Sequence, residues 1–584
     1  MNTTDSTSHA NLVKRLLPVV IALAVLTAFL PALSADFVTL DDDANFLNNP
    51  HFRGLDGRNL RWMFTTLHMS NYQPLSWLTS ALGYTFWGMQ PFGYHATSLA
   101  LHILDAVLFY LLAARLLGLA APGADQTSLS FAAAFAALFF ALHPLRVEPV
   151  AWLSGQHDLQ ASVFYPLAVL FHLRACSDEQ RRGRWRLACT ALFAAAMLSK
   201  ANGITLPAAL LLLDVYPLRR LAADPRKWLQ PQYRRVWVEK LPLVVVGVAA
   251  GWVSLVARHQ TAVLQSLSLG FRIQQTVYGL AFYLAKTVAP LGLMPFYPVP
   301  LDFRLPWSAV AASVVLVLLL TALLLRWRRR WPGGVVAWTY YVVTLLPVLG
   351  LISVNTQLAA DRYTYLPSMA GALLGGAVVL AGLRRSGIRG RLLLGAGLAA
   401  GLLGLGAMSW RQSRQWHDSE TLFRYALALD EDLPEVHNDL GFVLVNQHRT
   451  EEGMAEYRKA LANKPTFLKA LNNLGLALIG QGRREEAVEQ YQKALALDPN
   501  YAFGHNNLGL ALMYLDRPAE AVSHFQRAVE LAPEYVMAHG NLGAALLSMD
   551  RVDEAIAELQ KALELRPDYA AAATMLRMAQ ARPR

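Results

Sequence analysis

The chain has 584 residues, 54% of them hydrophobic and 16% charged, with a mean hydropathy of +0.30. A soluble globular protein carries about 25% charged residues, so one water-soluble globule is excluded. The formal charge of +11 is uneven: residues 1–410 are net +16, while 411–584, with 24 acidic and 19 basic side chains, are net −5. The basic excess is therefore not read as nucleic-acid affinity, because a polytopic membrane protein gains such charge from loops on one side of the bilayer.

A hydrocarbon core of about 30 Å needs roughly 20 apolar residues in a helix. The first run, 13–34, has the basic start of a signal peptide. It is long for an h-region and many runs follow, so it reads as a retained first helix. Further runs near 94–117, 128–144, 149–173, 186–199, 202–217, 241–257, 305–325, 333–353, 363–383 and 391–409 bring the expected spans to eleven, two of them short. Cys176, in a charged loop, and Cys189, at the start of an apolar run, rule out a disulfide framework or a multi-cysteine zinc cluster.

Basic clusters follow the fourth span (Arg174, Arg181, Arg182, Arg184, Arg186), the sixth (Arg219, Arg220, Arg226, Lys227, Arg234, Arg235), the eighth (Arg326, Arg328, Arg329, Arg330) and the tenth (Arg384, Arg385, Arg389). All share the side of Lys14 and Arg15, the cytoplasmic side by the positive-inside rule, provided that 272–295 does not span. That stretch carries Lys286 and two prolines and reads as an amphipathic helix on the outer interface. The outward side then receives the 35–93 loop, the turns near 145 and 200, the 258–304 segment, the 354–362 turn and the C-terminal domain.

From 435 the sequence repeats every 34 residues. Leu440-Gly441, Leu474-Gly475, Leu508-Gly509 and Leu542-Gly543 are in register, as are Ala460, Ala494, Ala528, Ala562 and Pro465, Pro499, Pro533, Pro567. Tyr457, Tyr491, Phe525 and Leu559 fill another column. Period, small residues and closing proline match the tetratricopeptide repeat. The expected fold class is all-α: a polytopic bundle over 1–410, a linker and half repeat over 411–434, four repeats over 435–570, and a cap or tail over 571–584. Such arrays form a superhelix whose concave groove binds extended peptide. Asn438, Asn472, Asn473, Asn506, Asn507 and Asn541 lie on that face; they could bond a peptide backbone, or solvate the groove and brace adjacent repeats.

Ionisable groups at a membrane are costly and tend to be functional, and here they gather on the expected outer face. Asp41, Asp42 and Asp43 follow the first span. Adjacent carboxylates raise the pKa of one member, and such a group can deprotonate an alcohol or hold a divalent metal; the bland alternative is a solvated acidic loop. The stretch ALHPLRVEPVAWLSGQHDL brings His143, Arg146, Glu148, His157 and Asp158 around one turn, which could equally be a salt-bridged hairpin. Lys200 and Arg362 are single cations at outward turns, where cations often snorkel. Cations facing carboxylates suit an anionic phosphorylated lipid head group and a base. There is no Walker loop and no strand-to-helix GxGxxG.

With these residues in view, the chain resembles the transmembrane and tetratricopeptide repeat-containing proteins, whose membrane halves are GT-C-type O-mannosyltransferases related to the protein O-mannosyltransferases, and it looks like a bacterial member. The match runs through the DD-x(6)-NP loop (Asp41, Asp42, Asn49, Pro50), HPLRVEPVAW, LSKxxGITLP with LLLLDVYPLRR, FYPVP at 296–300, DRYTYLPS at 361–368, and the repeats. It departs from eukaryotic members at Ala201, often acidic there, and at Arg146, where His is frequent. The resemblance implies a polyprenyl-phosphate sugar donor, undecaprenyl phosphate in bacteria, and inverting transfer on the periplasmic face of an inner membrane. It implies Asp41 as general base with Asp42 as partner, Arg146, Lys200 and Arg362 on the leaving phosphate, and His143, Glu148, Asp158 and Tyr363 in the pocket. A divalent metal at Asp41, Asp42 and Asp43 is left open. The implied partners are the donor lipid and a protein acceptor met by the repeats; a transferase acting on envelope glycan or lipid, and a non-enzymatic membrane-anchored scaffold, are the alternatives.

Overall fold

The computed structural model describes residues 3–258, 268–299, 305–351 and 357–581. It divides into two compact units, Met1–Leu422 and Phe423–Arg584.

The first unit is mostly helical. Its helices are α1 (Thr3–Phe29), α2 (Gly57–Thr65), α3 (Pro74–Trp87), α4 (Pro91–Ala120), α5 (Gln126–Ala141), α6 (Val147–Ala151), α7 (Gln156–Ser177) and α8 (Arg182–Ser199). There follow α9 (Leu206–Val215), α10 (Arg234–Arg258), α11 (Leu269–Val288), α12 (Trp307–Trp327), α13 (Pro332–Leu345), α14 (Ser368–Arg385) and α15 (Ile388–Ser413), while α16 (Ser419–Leu429) begins in this unit and ends in the second. Over the described residues every expected apolar run is mostly helical; positions 352–353 of the run 333–353 lie outside them. Among the described residues, six stretches are long and apolar enough to cross a membrane: Leu12–Ser34, Pro91–Ala120, Leu153–Ser177, Pro231–Ala257, Trp307–Trp327 and Ile388–Trp416. A seventh counts if the pair Gln126–Ala141 and Pro144–Ala151, bent by 61°, is one span. The other four runs fall short for visible reasons. α8 opens on Arg182, Arg184 and Arg186, α14 closes on Arg384 and Arg385, and α9 and α13 have 10 and 14 residues.

The bend after α5 has a sequence cause. Pro144 and Pro149 each lack an N–H for the helical ladder, and Gly155 is forced by contact: a Cβ there would lie 2.9 Å from the Pro149 Cα. The chain therefore breaks between α5 and α7 into short turns. A break of this kind at membrane depth needs its freed backbone groups met by protein, and residues 144–153 are all buried.

The main core of this unit gathers α1, α4, α5, α7 and α14. A smaller aromatic core of Phe37, Phe46, Phe52, Met63, Trp77, Tyr94 and Leu153 lies under the 35–93 loop. It fixes that long connection, to which α2 and α3 contribute Met63 and Trp77. A two-stranded antiparallel ladder pairs β1 (Tyr297–Pro298) with β2 (Gln357–Ala359). α11 braces the same segment: the Tyr283 hydroxyl accepts from Ala360 N at 3.0 Å, and Gln275 Nε2 donates to Gln357 O and Leu358 O at 3.3 Å.

In the second unit nine helices, α17–α25, begin at 434, 450, 468, 484, 502, 518, 536, 552 and 570, so helix starts recur every 34 residues. The Gly column is a contact column. A Cβ on Gly441, Gly475, Gly509 or Gly543 would meet Tyr457, Tyr491, Phe525 or Leu559 at 2.7, 2.6, 2.8 and 2.6 Å. Ala460, Ala494, Ala528 and Ala562 are fully buried. Two further periodic devices emerge. The turn inside each repeat places His448, Gly482, Asp516 and Asp550 at positive φ. Arg449, Arg483, Arg517 and Arg551 each chelate the Glu three residues on through two hydrogen bonds. These pairs are exposed and screened by solvent, so they add little to stability.

Candidate active site

A cavity of about 280 Å³ opens beside the end of the first loop. Asp41, Lys200, Arg362 and Tyr363 line it, together with Asn45, residues 69–73, Trp152, Ser154, His157, Asn202, Ser254 and Val348. Four residues singled out from sequence, separated by up to 322 positions, thus share one wall.

The two leading aspartates play different parts. Asp42 is fully buried, and both its oxygens are occupied: Oδ1 accepts from Ser154 N at 2.9 Å and Ser154 Oγ at 2.6 Å, and Oδ2 from Val38 N at 3.0 Å. It ties the loop to the break between α6 and α7. Burial pushes its pKa up to about 7, against the lowering effect of those hydrogen bonds. Asp41 is the reverse. Its backbone carbonyl accepts from Asn45 N at 2.9 Å, but its carboxylate has no hydrogen-bond partner among the described residues. Burial raises its pKa and Asp43 adds to the rise, while Arg362 and Lys200 pull the other way.

Both cations reach the cavity already paired. Lys200 Nζ donates to Asp158 Oδ2 at 2.8 Å, and Asn202 Nδ2 also donates to Asp158. Arg362 is ion-paired to Glu148, which also accepts from the Arg362 backbone N–H at 2.8 Å. The guanidinium lies 5.0 Å from the ring centres of both Trp152 and Tyr363. Burial opposes the Arg362 charge, but Glu148 outweighs it and raises the pKa above the usual arginine value. The pairing has a chemical effect. A cation without its own carboxylate would close on Asp41 and depress its basicity; Glu148 and Asp158 keep both cations near Asp41 without silencing it.

The structure does not bring every expected residue to this wall. Arg146 is completely buried elsewhere: its Nη2 donates to Thr364 Oγ1 at 2.7 Å and its charge sits 5.2 Å from the rings of Phe140 and Tyr365. His143 Nδ1 accepts from Leu145 N at 3.3 Å, which leaves Nε2 to donate to Thr287 O at 3.0 Å; it caps a turn and does not line the cavity. Glu148 and Asp158 stand behind the wall as partners of its cations. Asp41, Asp42 and Asp43 do not converge as metal ligands, because Asp42's oxygens are spent on Ser154 and Val38. His172, Cys176 and Asp214 are close enough for a shared ion. Yet Asp214 pairs with Arg220 at 2.8 Å and Lys240 at 2.6 Å, a charge network rather than a cation site.

The asparagines of the repeats are committed to one another. Asn473 Nδ2 donates to Asn438 Oδ1 at 2.9 Å, Asn507 Nδ2 to Asn472 Oδ1 at 2.7 Å, and Asn541 Nδ2 to Asn506 Oδ1 at 2.9 Å. These bonds brace adjacent repeats, one of the two readings open from sequence.

Residues 69–73 escaped the sequence reading, because HMSNYQP has no charge to draw attention. Ser154 sat in the motif that was read, but its hydroxyl was overshadowed by the charged members and by His157, which was named there.

Helices, cavity and repeats together define a multi-span membrane protein that carries a tetratricopeptide array. The sequence model of the dolichyl-phosphate-mannose-protein mannosyltransferase family matches residues 76–252, and tetratricopeptide-repeat models match 477–516 and 506–570. Human protein O-mannosyl-transferase TMTC1 is 27% identical over 502 residues, covering 74% of this chain and 53% of the relative. A Caenorhabditis elegans protein O-mannosyl-transferase, F38B6.6, is 24% identical over 467 residues, 78% of this chain and 63% of its own. The chain thus joins a mannosyltransferase-type domain to tetratricopeptide repeats, and its homologues are protein O-mannosyl-transferases of the resembled family, of whose length it spans about half to three fifths. Among solved structures, YrrB, described as a tetratricopeptide protein with an unusual peptide-binding site, matches 27% of this chain and 80% of its own at 24% identity, with a TM-score of 0.24.

Proposed function

We propose that the first unit is a glycosyltransferase that moves one hexose, mannose by analogy with its relatives, from a polyprenyl phosphate to a protein Ser or Thr hydroxyl. The observation that carries this reading is the state of Asp41: a carboxylate on the wall of a polar cavity, free of hydrogen-bond partners, with a raised pKa and two cations near it. Asp41 takes the proton of the acceptor hydroxyl as that oxygen attacks the anomeric carbon from the face opposite the phosphate. The bond from that carbon to the phosphate oxygen breaks, configuration inverts, and the phosphate leaves with its charge. Arg362 and Lys200 meet that charge, an interaction that strengthens as the bond breaks. Asp42 positions the loop.

Further parts of the reading follow the charge pattern of the sequence. The N-terminus and basic loops face the cytoplasm and the cavity faces the periplasm of a bacterial inner membrane, with undecaprenyl phosphate as the lipid. The repeats present acceptor or partner protein.

Asp41→Asn tests the base. The side chain makes no hydrogen bond to lose, so the variant should insert, fold and melt as the parent does. A general base contributes about 10²–10⁴ in rate, and transfer should fall by that order. Transfer at the parental rate by the purified variant sinks the assignment. Mass spectrometry of envelope proteins and glycans from cells with and without the gene identifies sugar and acceptor together.

A further inference from the structure

Most polar groups on the cavity wall are engaged with other side chains: Asn45 Nδ2 donates to Ser154 Oγ at 2.9 Å, Asn202 to Asp158, and the cations to their carboxylates. Others are not. The Ser70 hydroxyl, the Gln73 amide, the Trp152 Nε1 and the His157 Nε2 make no hydrogen bond among the described residues, and of these the Trp152 and His157 nitrogens are sealed from solvent. Gln73 and His157 are 5% and 2% exposed as whole residues, and Ser70 is half-buried. A buried polar group left unpaired is costly; His157 Nε2 is one, and with Ser70 and Gln73 beside it on the same cavity wall it marks a contact for something that enters.

Ser70 and Gln73 belong to a strap, residues 68–73, tied down at both ends. At one end the His68 ring donates through Nε2 to Ala44 O at 3.2 Å, in the loop that carries Asp41. At the other, Ser76 Oγ donates to Ser199 O at 2.8 Å, beside Lys200. Between them Met69 and Ser70 hold φ of 48° and 61°, a left-handed pair that non-glycine residues seldom adopt and that collects at ligand sites. Asn71 Nδ2 holds the turn by donating to Met69 O at 2.8 Å. The strap thus runs from the base to the cation with its shape fixed in advance.

We infer that Ser70, Gln73 and His157 form the subsite for the sugar ring, reading hydroxyls of a hexopyranose while it is held between Asp41 and the cations. The inference rests on the transferase reading above and names residues that determine which sugar is accepted. A hydroxyl, an amide and an imidazole supply both donors and acceptors, as vicinal sugar hydroxyls require. Trp152 and Tyr363 add flat faces for the C–H side of the ring. The volume of about 280 Å³ lies at the lower edge of small-molecule pockets, about 300–1,000 Å³. It suits a monosaccharide on a phosphate and is too small for an extended peptide.

The test uses the full chain in nanodiscs and two probes, undecaprenyl phosphate and undecaprenyl-phosphate mannose. Ser70→Ala and Gln73→Ala should each weaken the sugar-bearing lipid at least tenfold and change the sugar-free lipid less than twofold. Ser70 lies on the half-exposed strap, outside any apolar core, so it keeps the test open should Gln73→Ala fold poorly. Equal weakening of both lipids, no weakening of either, or equal parental affinity for the two lipids overturns the subsite. A parent that binds neither lipid removes the transferase reading itself, before any variant is made.

Discussion

Asp42→Ala offers a sharp separation of positioning from chemistry. The Asp42 carboxylate receives Val38 N, Ser154 N and Ser154 Oγ in a fully buried place. Alanine strands two backbone donors at about 1–3 kcal/mol each, which puts the cost to the closed loop near 2–6 kcal/mol. The carboxylate's own burial penalty, visible in a pKa pushed up to about 7, is relieved at the same time and draws the figure toward the lower end. Since 1.4 kcal/mol is a factor of ten, hydrogen exchange at Val38 and Ser154 should quicken by tenfold or more. Transfer should fall although Asp41 is untouched. Asp41→Asn gives the opposite pattern, exchange unchanged and transfer lost. Parental exchange and transfer in Asp42→Ala would refute the division of roles between the two carboxylates.

Other expectations follow from the same geometry. Asp41 must be ionised to accept a proton, so its raised pKa places the acid limb of the rate profile above the ordinary carboxylate range. Asp43 contributes to that rise, and Asp43→Asn should move the limb of kcat/KM to lower pH; a fixed or upward limb speaks against Asp41 as base. Glu148→Gln leaves the buried Arg362 charge with its carboxylate partner gone, a loss of about 3–5 kcal/mol for a broken buried pair, read as a lowered melting temperature together with reduced transfer. In the repeats, Asn473→Ala removes one amide bond, about 1 kcal/mol. Gly475→Ala drives a Cβ to 2.6 Å from Tyr491 and should cost more, about 1–3 kcal/mol; denaturant midpoints of the full chain give the order.

The repeat array was legible residue by residue, because a 34-residue period writes the same contact several times. Gly475 and Tyr491 could be paired from their columns alone. The membrane unit was legible as apolar runs, and over the described residues they are mostly helical. How many cross was less so, since α8 and α9 owe their place to packing rather than to length. In the site, charge made Asp41, Lys200 and Arg362 visible. It drew attention equally to Arg146, which lies off this wall, bonded to Thr364 and set against Phe140 and Tyr365. It also hid the strap, whose neutral side chains acquire meaning only from a left-handed backbone and from what they fail to touch. The Asn residues were noticed but not paired, because their bonds join positions 35 apart, one residue more than the repeat.

That extra residue gives the array a direction. In every rung the later repeat donates and the earlier one accepts, so the amides point one way along the superhelix like links of a chain with a hook and an eye. Adding or removing a few residues within a repeat would leave a hook opposite no eye. The array can therefore lengthen or shorten in whole repeats while keeping its ladder, and its reach comes in fixed steps.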